Sequence, residues 1–312
     1  MGCQMKVLVA GATGVLGRAL MQKVREHGDH AVALTRDGPG RNWLEEKGFD
    51  YEICDVFSGV DVKKAVQEVA PDVLINQLTS IPQNLNPRRV RTQMSPTNRL
   101  RHEATKNLVA ALPASSRLIS QSIAFAYHPR VVSPATESDS LYIGAPSGFD
   151  EVVDAILECE KATLATNGTV LRYGHFCGPE TAFAPDGSTT RAVASRQLPI
   201  IGNGTGEFSF IHRDDAVDAT IAAMTSEASG IFNIVDNTPV TADRWIAALA
   251  EDLGATRPPS IPAWLGILGA GRFGAFMMLQ QRGASNARAR GMLDWTPNHP
   301  TWRHSLELKT LH

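Results

Sequence analysis

An α/β fold built on a doubly wound parallel sheet is what the sequence predicts, from three observations. Strand-like and helix-like segments alternate along most of the chain, which calls for parallel strands covered by helices. The apolar run Lys6–Ala10 leads directly into a glycine-rich turn and then a helix-like segment. A length of 312 residues exceeds one such unit and leaves room for a smaller C-terminal part. In chain order, strands are expected at 6–10, 30–34, 51–54, 72–78, 117–120, 169–172 and 230–235. Helices are expected at 18–26, 60–70, 98–112 and 149–166. The polar segment 79–96 and the Pro-, Ser- and Gly-rich segment 130–148 read as loops.

Gly11, Gly14 and Gly17 each stand where a Cβ would obstruct something. Gly11 permits the tight turn, Gly14 lets the backbone approach a pyrophosphate, and Gly17 lets the helix pack on the strand. The helix N-terminus points its free N–H groups and positive dipole end at that pyrophosphate. Thr13, Val15, Leu16 and Arg18 complete this loop, and the whole predicts a Rossmann-type dinucleotide site. The second strand ends in Thr35-Arg36. A carboxylate there would accept from the ribose 2′-OH of NAD, whereas Arg meets the 2′-phosphate of NADP. NADPH is therefore the expected cofactor, with Asp37 the one residue arguing the other way and Arg18 a second phosphate contact. In an open α/β sheet ligands gather at the C-terminal strand ends, which adds Asp55, Val56, Gln77, Leu78, Thr79 and Ser120 as cofactor contacts.

Composition narrows the class. Hydrophobic content of 43% and charged content of 20% fit a globular enzyme, and a net charge of −2 offers no basic surface for nucleic acid. Cys3, Cys54, Cys159 and Cys177 are scattered without a C-x-x-C pair, the pattern of reduced cytoplasmic thiols, and no metal is expected. No signal-peptide pattern precedes the first strand, and Met1-Gly2-Cys3 fails as a myristoylation motif because Lys6 replaces the required Ser or Thr. The apolar stretch 263–279 carries Arg272 and four glycines, too broken for a membrane span. A cytoplasmic protein acting on a small molecule is expected, as a monomer or homodimer.

The G-x-x-G-x-x-G spacing resembles the short-chain dehydrogenase/reductase superfamily, and further segments resemble its extended type, the NAD(P)-dependent epimerase/dehydratase group. LRYGHFCGP over 171–179 resembles the strand and turn beside the nicotinamide, so the resemblance implies that Tyr173, Gly174, His175 and Phe176 line the cofactor. IGNGTGEFSFIHRDDAVDA over 201–219 resembles the G-x-G…F-x-H-x-x-D-x-A segment, and SNARARGMLDWTP over 285–297 the family's close. The resemblance implies a nucleotide domain from 1–172 and 205–236, and a smaller substrate domain from 173–204 and 237–312.

Departures from the pattern are as informative. The superfamily uses a Tyr as proton donor, a Lys four residues later, and a Ser on the neighbouring strand. In FDEVVDAILECEKATLA, aligning Glu160 with the family's Glu puts Val152 and Ile156 at the Tyr and Lys positions; aligning Glu158 instead gives Asp150 and Asp154. Either way the pair is missing. Ser120-Gln121-Ser122 resembles the Ser element, which makes Ser122 the expected active hydroxyl, with Tyr127 a substitute donor and Thr79 a further lining hydroxyl. His175 reads as a wall residue, and His212 and Asp215 as structural. Nucleotide-sugar enzymes of the group carry an Arg where this chain has Phe208, leaving Arg191 and Arg196 as the nearby cations. Trp264, Leu265, Leu268, Phe273, Phe276, Met277 and Met278 suit a flat apolar ligand better than a sugar diphosphate, if they face the mouth rather than the core.

The chain is similar to actinobacterial angucyclinone ketoreductases in which the Tyr–Lys pair is likewise absent. That similarity implies an NADPH-dependent ketoreductase of an apolar, polycyclic aromatic ketone, in polyketide or antibiotic biosynthesis. The alternatives are a nucleotide-sugar epimerase or dehydratase with relocated residues, and a non-catalytic NADP(H)-binding regulator.

Overall fold

A computed structural model describes residues 4–82 and 84–307; Met1, Gly2 and Cys3 lie outside the described residues. Seven strands form one parallel sheet. They are β1 (Lys6–Ala10), β2 (His30–Thr35), β3 (Asp50–Ile53), β4 (Val73–Asn76), β5 (Arg117–Ile123), β6 (Thr169–Tyr173) and the strand Gly230–Ile234. In space β3-β2-β1 run out on one side and β4-β5-β6-Gly230–Ile234 on the other. The order reverses between β1 and β4, so a crevice opens at their C-terminal ends, where Ala10 pairs with Asn76.

Helices cover both faces because the central strands are apolar on both sides, as parallel strands must be. Val7 and Val9 pack with Leu16, Leu20 and Val24 of α1 (Val15–His27), while Leu8 and Ala10 pack with Val62 and Val66 of α3 (Gly59–Val69). Left-handed Gly28 ends α1 and the Ser58 hydroxyl caps α3, so both boundaries are written locally.

Two helical stretches lie outside the expected helices. Pro39 opens α2 (Pro39–Lys47), where its missing N–H costs nothing. The segment 79–96 is only partly loop: a 3₁₀ turn at Pro87–Arg89 leads into α4 (Val90–Arg99), which tolerates Pro96 internally. A π-helical turn, Leu100–Ala104, follows immediately and joins α5 (Thr105–Ala111). The helix α6 (Asp150–Leu164) lies against β5 and the π turn.

Beyond β6 the chain builds three two-stranded sheets around a second core of Val193, Ile200, Phe208, Phe210, Trp245 and Ile246. Phe208 and Phe210 come from the segment between 205 and 236, whose helix Arg213–Thr225 packs on the main sheet, so that segment serves both cores. Among the described residues, no helix is long and apolar enough to cross a membrane.

Candidate cofactor and active site

The glycine loop is shaped partly by the protein and partly for something else. Gly11 adopts φ +87°, and a Cβ there would come within 2.6 Å of the Gln77 carbonyl oxygen. At Gly17 a Cβ would stand 2.1 Å from the Gly11 carbonyl oxygen. Gly14 is different: its φ is −78° and a Cβ would meet only the Gly11 oxygen, at 3.4 Å. The protein's own packing therefore does not demand glycine at position 14. No side chain caps α1 and no acidic residue occupies its first turn, which leaves the N–H groups at Val15, Leu16 and Gly17 for an anion. Arg18 is held beside the loop, its Nε donating to the Thr13 carbonyl at 3.1 Å and its guanidinium over Trp43. The cradle fits a pyrophosphate.

At the β2 end Arg36 is exposed, while the Asp37 carboxylate is paired with Arg41 at 3.3 Å. Arg41 also binds Glu45 at 2.8 Å, and among the described residues the Arg36 side chain has no ion pair. Asp55 accepts from the Phe57 N–H at 3.0 Å, and Val56 is buried with its carbonyl accepting from Asn107. At the end of β4 the Gln77 side chain turns inward and donates to the Tyr173 hydroxyl at 3.0 Å. The backbone of Gln77 and Leu78 thereby forms the crevice edge, with Thr79 exposed beyond it. Burial pushes the Tyr173 phenol up to about 12, so this hydroxyl stays protonated within its bonds to Gln77 and Thr220.

On the opposite wall Gly174 passes so close to Ser209 that a Cβ would stand 2.5 Å from its carbonyl oxygen. His175 stacks on Phe125 with ring centroids 4.2 Å apart and meets Phe208 at 4.7 Å. Burial lowers its pKa to about 4, so the imidazole is neutral near pH 7 and serves as a wall rather than an acid. Phe176 tilts against Tyr173 at 5.3 Å. Phe208 is buried against Trp245. Arg191, one of two alternative cations, donates to the Asp186 carbonyl oxygen.

Two of the three hydroxyls expected to act in catalysis, Ser122 and Tyr127, are buried among polar partners. Ser122 is 1% exposed, and its Oγ donates to Glu160 Oε1 at 2.7 Å. Glu160 in turn receives Arg172 at 2.7 and 2.6 Å. Tyr127 is fully buried, accepts from Arg172 at 3.0 Å and donates to Asn233 Oδ1 at 2.7 Å. Both side chains therefore belong to one closed polar network that ties α6 to β5 and β6. Ser120 lies on the same side of β5, accepting from Thr163 at 2.8 Å. Of the three hydroxyls read as catalytic, only Thr79 is exposed.

Glu160, not Glu158, is the buried partner of Arg172, and neither alignment of α6 puts a Tyr or a Lys at the paired positions: Val152 and Ile156 stand eight and four residues before Glu160. Both are buried, in a cluster with Val90 and Met94. The long apolar helix Ala263–Leu279 kinks at Gly271, φ +72°. Beyond the kink Phe273 and Phe276 pack on Phe149 as core, whereas Trp264, Leu265 and Leu268 before it are exposed.

Comparison with known proteins agrees with this geometry. The model of the NAD dependent epimerase/dehydratase family matches residues 7–235. A Streptomyces 3-diazoavenalumate denitrifying reductase is 38% identical over 311 residues, 97% of this chain and 99% of that protein. Among solved structures, the UDP-glucose 4-epimerase of Thermotoga maritima superposes with TM-score 0.76 at 17% identity, covering 97% of each chain. The Thermus thermophilus UDP-glucose 4-epimerase, solved with NAD, gives 0.72 at 18% identity, also over 97% of each. A glycine cradle on a seven-stranded sheet, with the family model spanning most of that sheet, leads to one conclusion: the chain belongs to the NAD dependent epimerase/dehydratase family, as an NAD(P)-dependent oxidoreductase of the extended short-chain dehydrogenase/reductase type.

Proposed function

We propose that this protein is an NADPH-dependent reductase of an apolar aromatic small molecule, acting on a group that takes hydride without a proton from the protein. The observation that carries the reading is the apolar pair Val152 and Ile156 together with the closed network that occupies Ser122 and Tyr127. NADPH, when bound, supplies the hydride. Arg36 favours the 2′-phosphate over a bare ribose, and the half-buried Phe125–His175 stack offers flat aromatic surface in place of a cation for a sugar diphosphate.

Two acceptors meet the proton requirement. An aryl diazonium group that accepts hydride leaves as N₂ and gives the arene; charge and atoms balance with no proton consumed. The denitrifying reductase that is 38% identical acts on a diazo-arene by its name, which supports this acceptor first. A ketone flanked by a peri-hydroxyl carries its own proton, which supports the ketoreductase reading second. Loss of a general acid costs about 10²–10⁴-fold for an acceptor that needs one, so ordinary ketones should be poor substrates. The test is NADPH consumption with an arenediazonium, a peri-hydroxy ketone and its O-methyl ether. Turnover of either of the first two, with the ether at least about 100-fold slower than the parent ketone, is the expected result. Binding of NADPH with no turnover of any would identify a regulator, and turnover of a UDP-sugar an epimerase.

A further inference from the structure

Arg101 is the most unusual charge in the molecule. It is 3% exposed, its Nε and Nη1 are buried, and neither has a hydrogen-bond partner among the described residues. The carboxylate nearest in charge, Glu160, is already taken by Arg172 and Ser122. Three residues before Arg101 in the chain, Asn98 Oδ1 is another buried atom with no partner among the described residues. A guanidinium is seldom buried in this way without an anion, because taking the charge out of water costs several kcal/mol.

The position of Arg101 follows from its neighbours along the helix. Thr97, four residues before, accepts from the Ser80 N–H at 3.0 Å, and Thr105, four residues after, accepts from Asn76 Nδ2 at 3.1 Å. Arg101 therefore stands beside the C-terminal edge of β4, between the levels of Asn76 and Ser80. Thr105 also meets Cys159 of α6 at 3.5 Å. One turn towards the N-terminus from that contact lies Arg101 on one helix and Ile156 on the other. Its electrostatic neighbours there are Cys159 and Glu160 of α6. Arg101 lies within the π turn Leu100–Ala104, and such turns concentrate at functional sites.

We propose that Arg101 is a substrate-binding residue that holds an oxyanion, a phenolate or carboxylate, of the aromatic substrate at the β4 edge. The inference rests on the reductase reading and deepens it. A fixed positive charge stabilises negative charge on oxygen without giving up a proton, which is the assistance a site lacking Tyr and Lys can still provide. Burial lowers the Arg101 pKa only to about 10, so the charge persists at neutral pH. Arg is also the side chain whose planar fork matches a carboxylate with two parallel bonds.

The experiment measures binding to the NADP⁺-loaded protein of cinnamate, of its neutral amide, and of 4-nitrophenolate above its pKa. The wild type should bind cinnamate or 4-nitrophenolate at least about ten-fold more tightly than the amide, and whichever anion gains names the source of the oxyanion. Arg101→Met should erase that preference, leave NADP⁺ affinity within about three-fold, and raise the melting temperature of the ligand-free protein, because an unpaired buried charge has been removed. Arg101→Lys should retain part of the preference. Equal binding of anions and amide by the wild type would overturn the proposal. So would an equal loss of NADP⁺ affinity in Arg101→Met, which would assign the guanidinium to the cofactor, or a lower melting temperature, which would make it structural. Failure of the reductase reading is separate, since it shows as absent hydride transfer whatever these affinities are.

Discussion

Replacing Ser122 by Ala separates a structural hydroxyl from a catalytic one. The Ser122 hydroxyl donates to Glu160 Oε1 at 2.7 Å, and that same oxygen receives Arg172 Nε at 2.7 Å. Both carboxylate oxygens keep an Arg172 contact in the variant, so no charge is stranded and the loss is one charge-assisted hydrogen bond. Such a bond is worth about 1.5–3 kcal/mol when buried, less than the about 3–5 kcal/mol expected when Arg172→Met leaves Glu160 unpaired. Urea unfolding of the two variants against wild type reads both numbers from midpoint shifts at constant slope. Turnover with NADPH should meanwhile change no more than a few fold in Ser122→Ala. A loss of turnover of 100-fold or more, about the low end for an acid–base group, with unaltered stability would refute the placement of Ser122 in the network.

Gly14→Ala should fold normally, since its Cβ meets only one atom at 3.4 Å, yet lose NADPH binding at least about ten-fold in a titration; Gly17→Ala, with a Cβ 2.1 Å from a carbonyl oxygen, should fail to accumulate folded. Arg36→Ala should remove a preference for NADPH over NADH of at least about ten-fold, or 1.4 kcal/mol, measured by calorimetry. His175 should make the protein less stable in acid. Its folded pKa of about 4 lies below the ordinary 6.5, so the unfolded chain binds a proton first and stability falls as pH drops between those values. His175→Phe should flatten that part of the pH–stability curve.

The sheet was legible because each strand is a short apolar run closed by a turn residue, and all seven were placed within a few residues of their observed ends. The glycine loop was legible for the same local reason. The α4 helix was not, because Pro96 and the polar run before it mimic a loop, and tertiary packing of Val90 and Met94 decides otherwise. Ser122 was misplaced although a signal existed. Side chains two apart on a strand share a face, so Ser120 and Ser122 both turn towards α6 rather than to a strand-end ligand. Nothing local marks Glu160 and Arg172 as partners; they lie on different elements, and only the fold brings them within 2.6 Å. Nothing local marks Arg101 as buried either; it lies in the π turn Leu100–Ala104 and is 3% exposed.

The central claim is hydride delivery to an aromatic substrate with no proton donor on the protein. Its most direct measurement follows deuterium from 4-²H-labelled NADPH into an arenediazonium or peri-hydroxy ketone by NMR, with the single-turnover rate taken across pH. Deuterium should appear at the accepting carbon, and the rate should show no protein ionisation between pH 6 and 9, roughly the window in which a general acid would titrate. A rate that falls with an apparent pKa in that range, and loses the fall in Tyr127→Phe, would contradict the account and return Tyr127 to the active site.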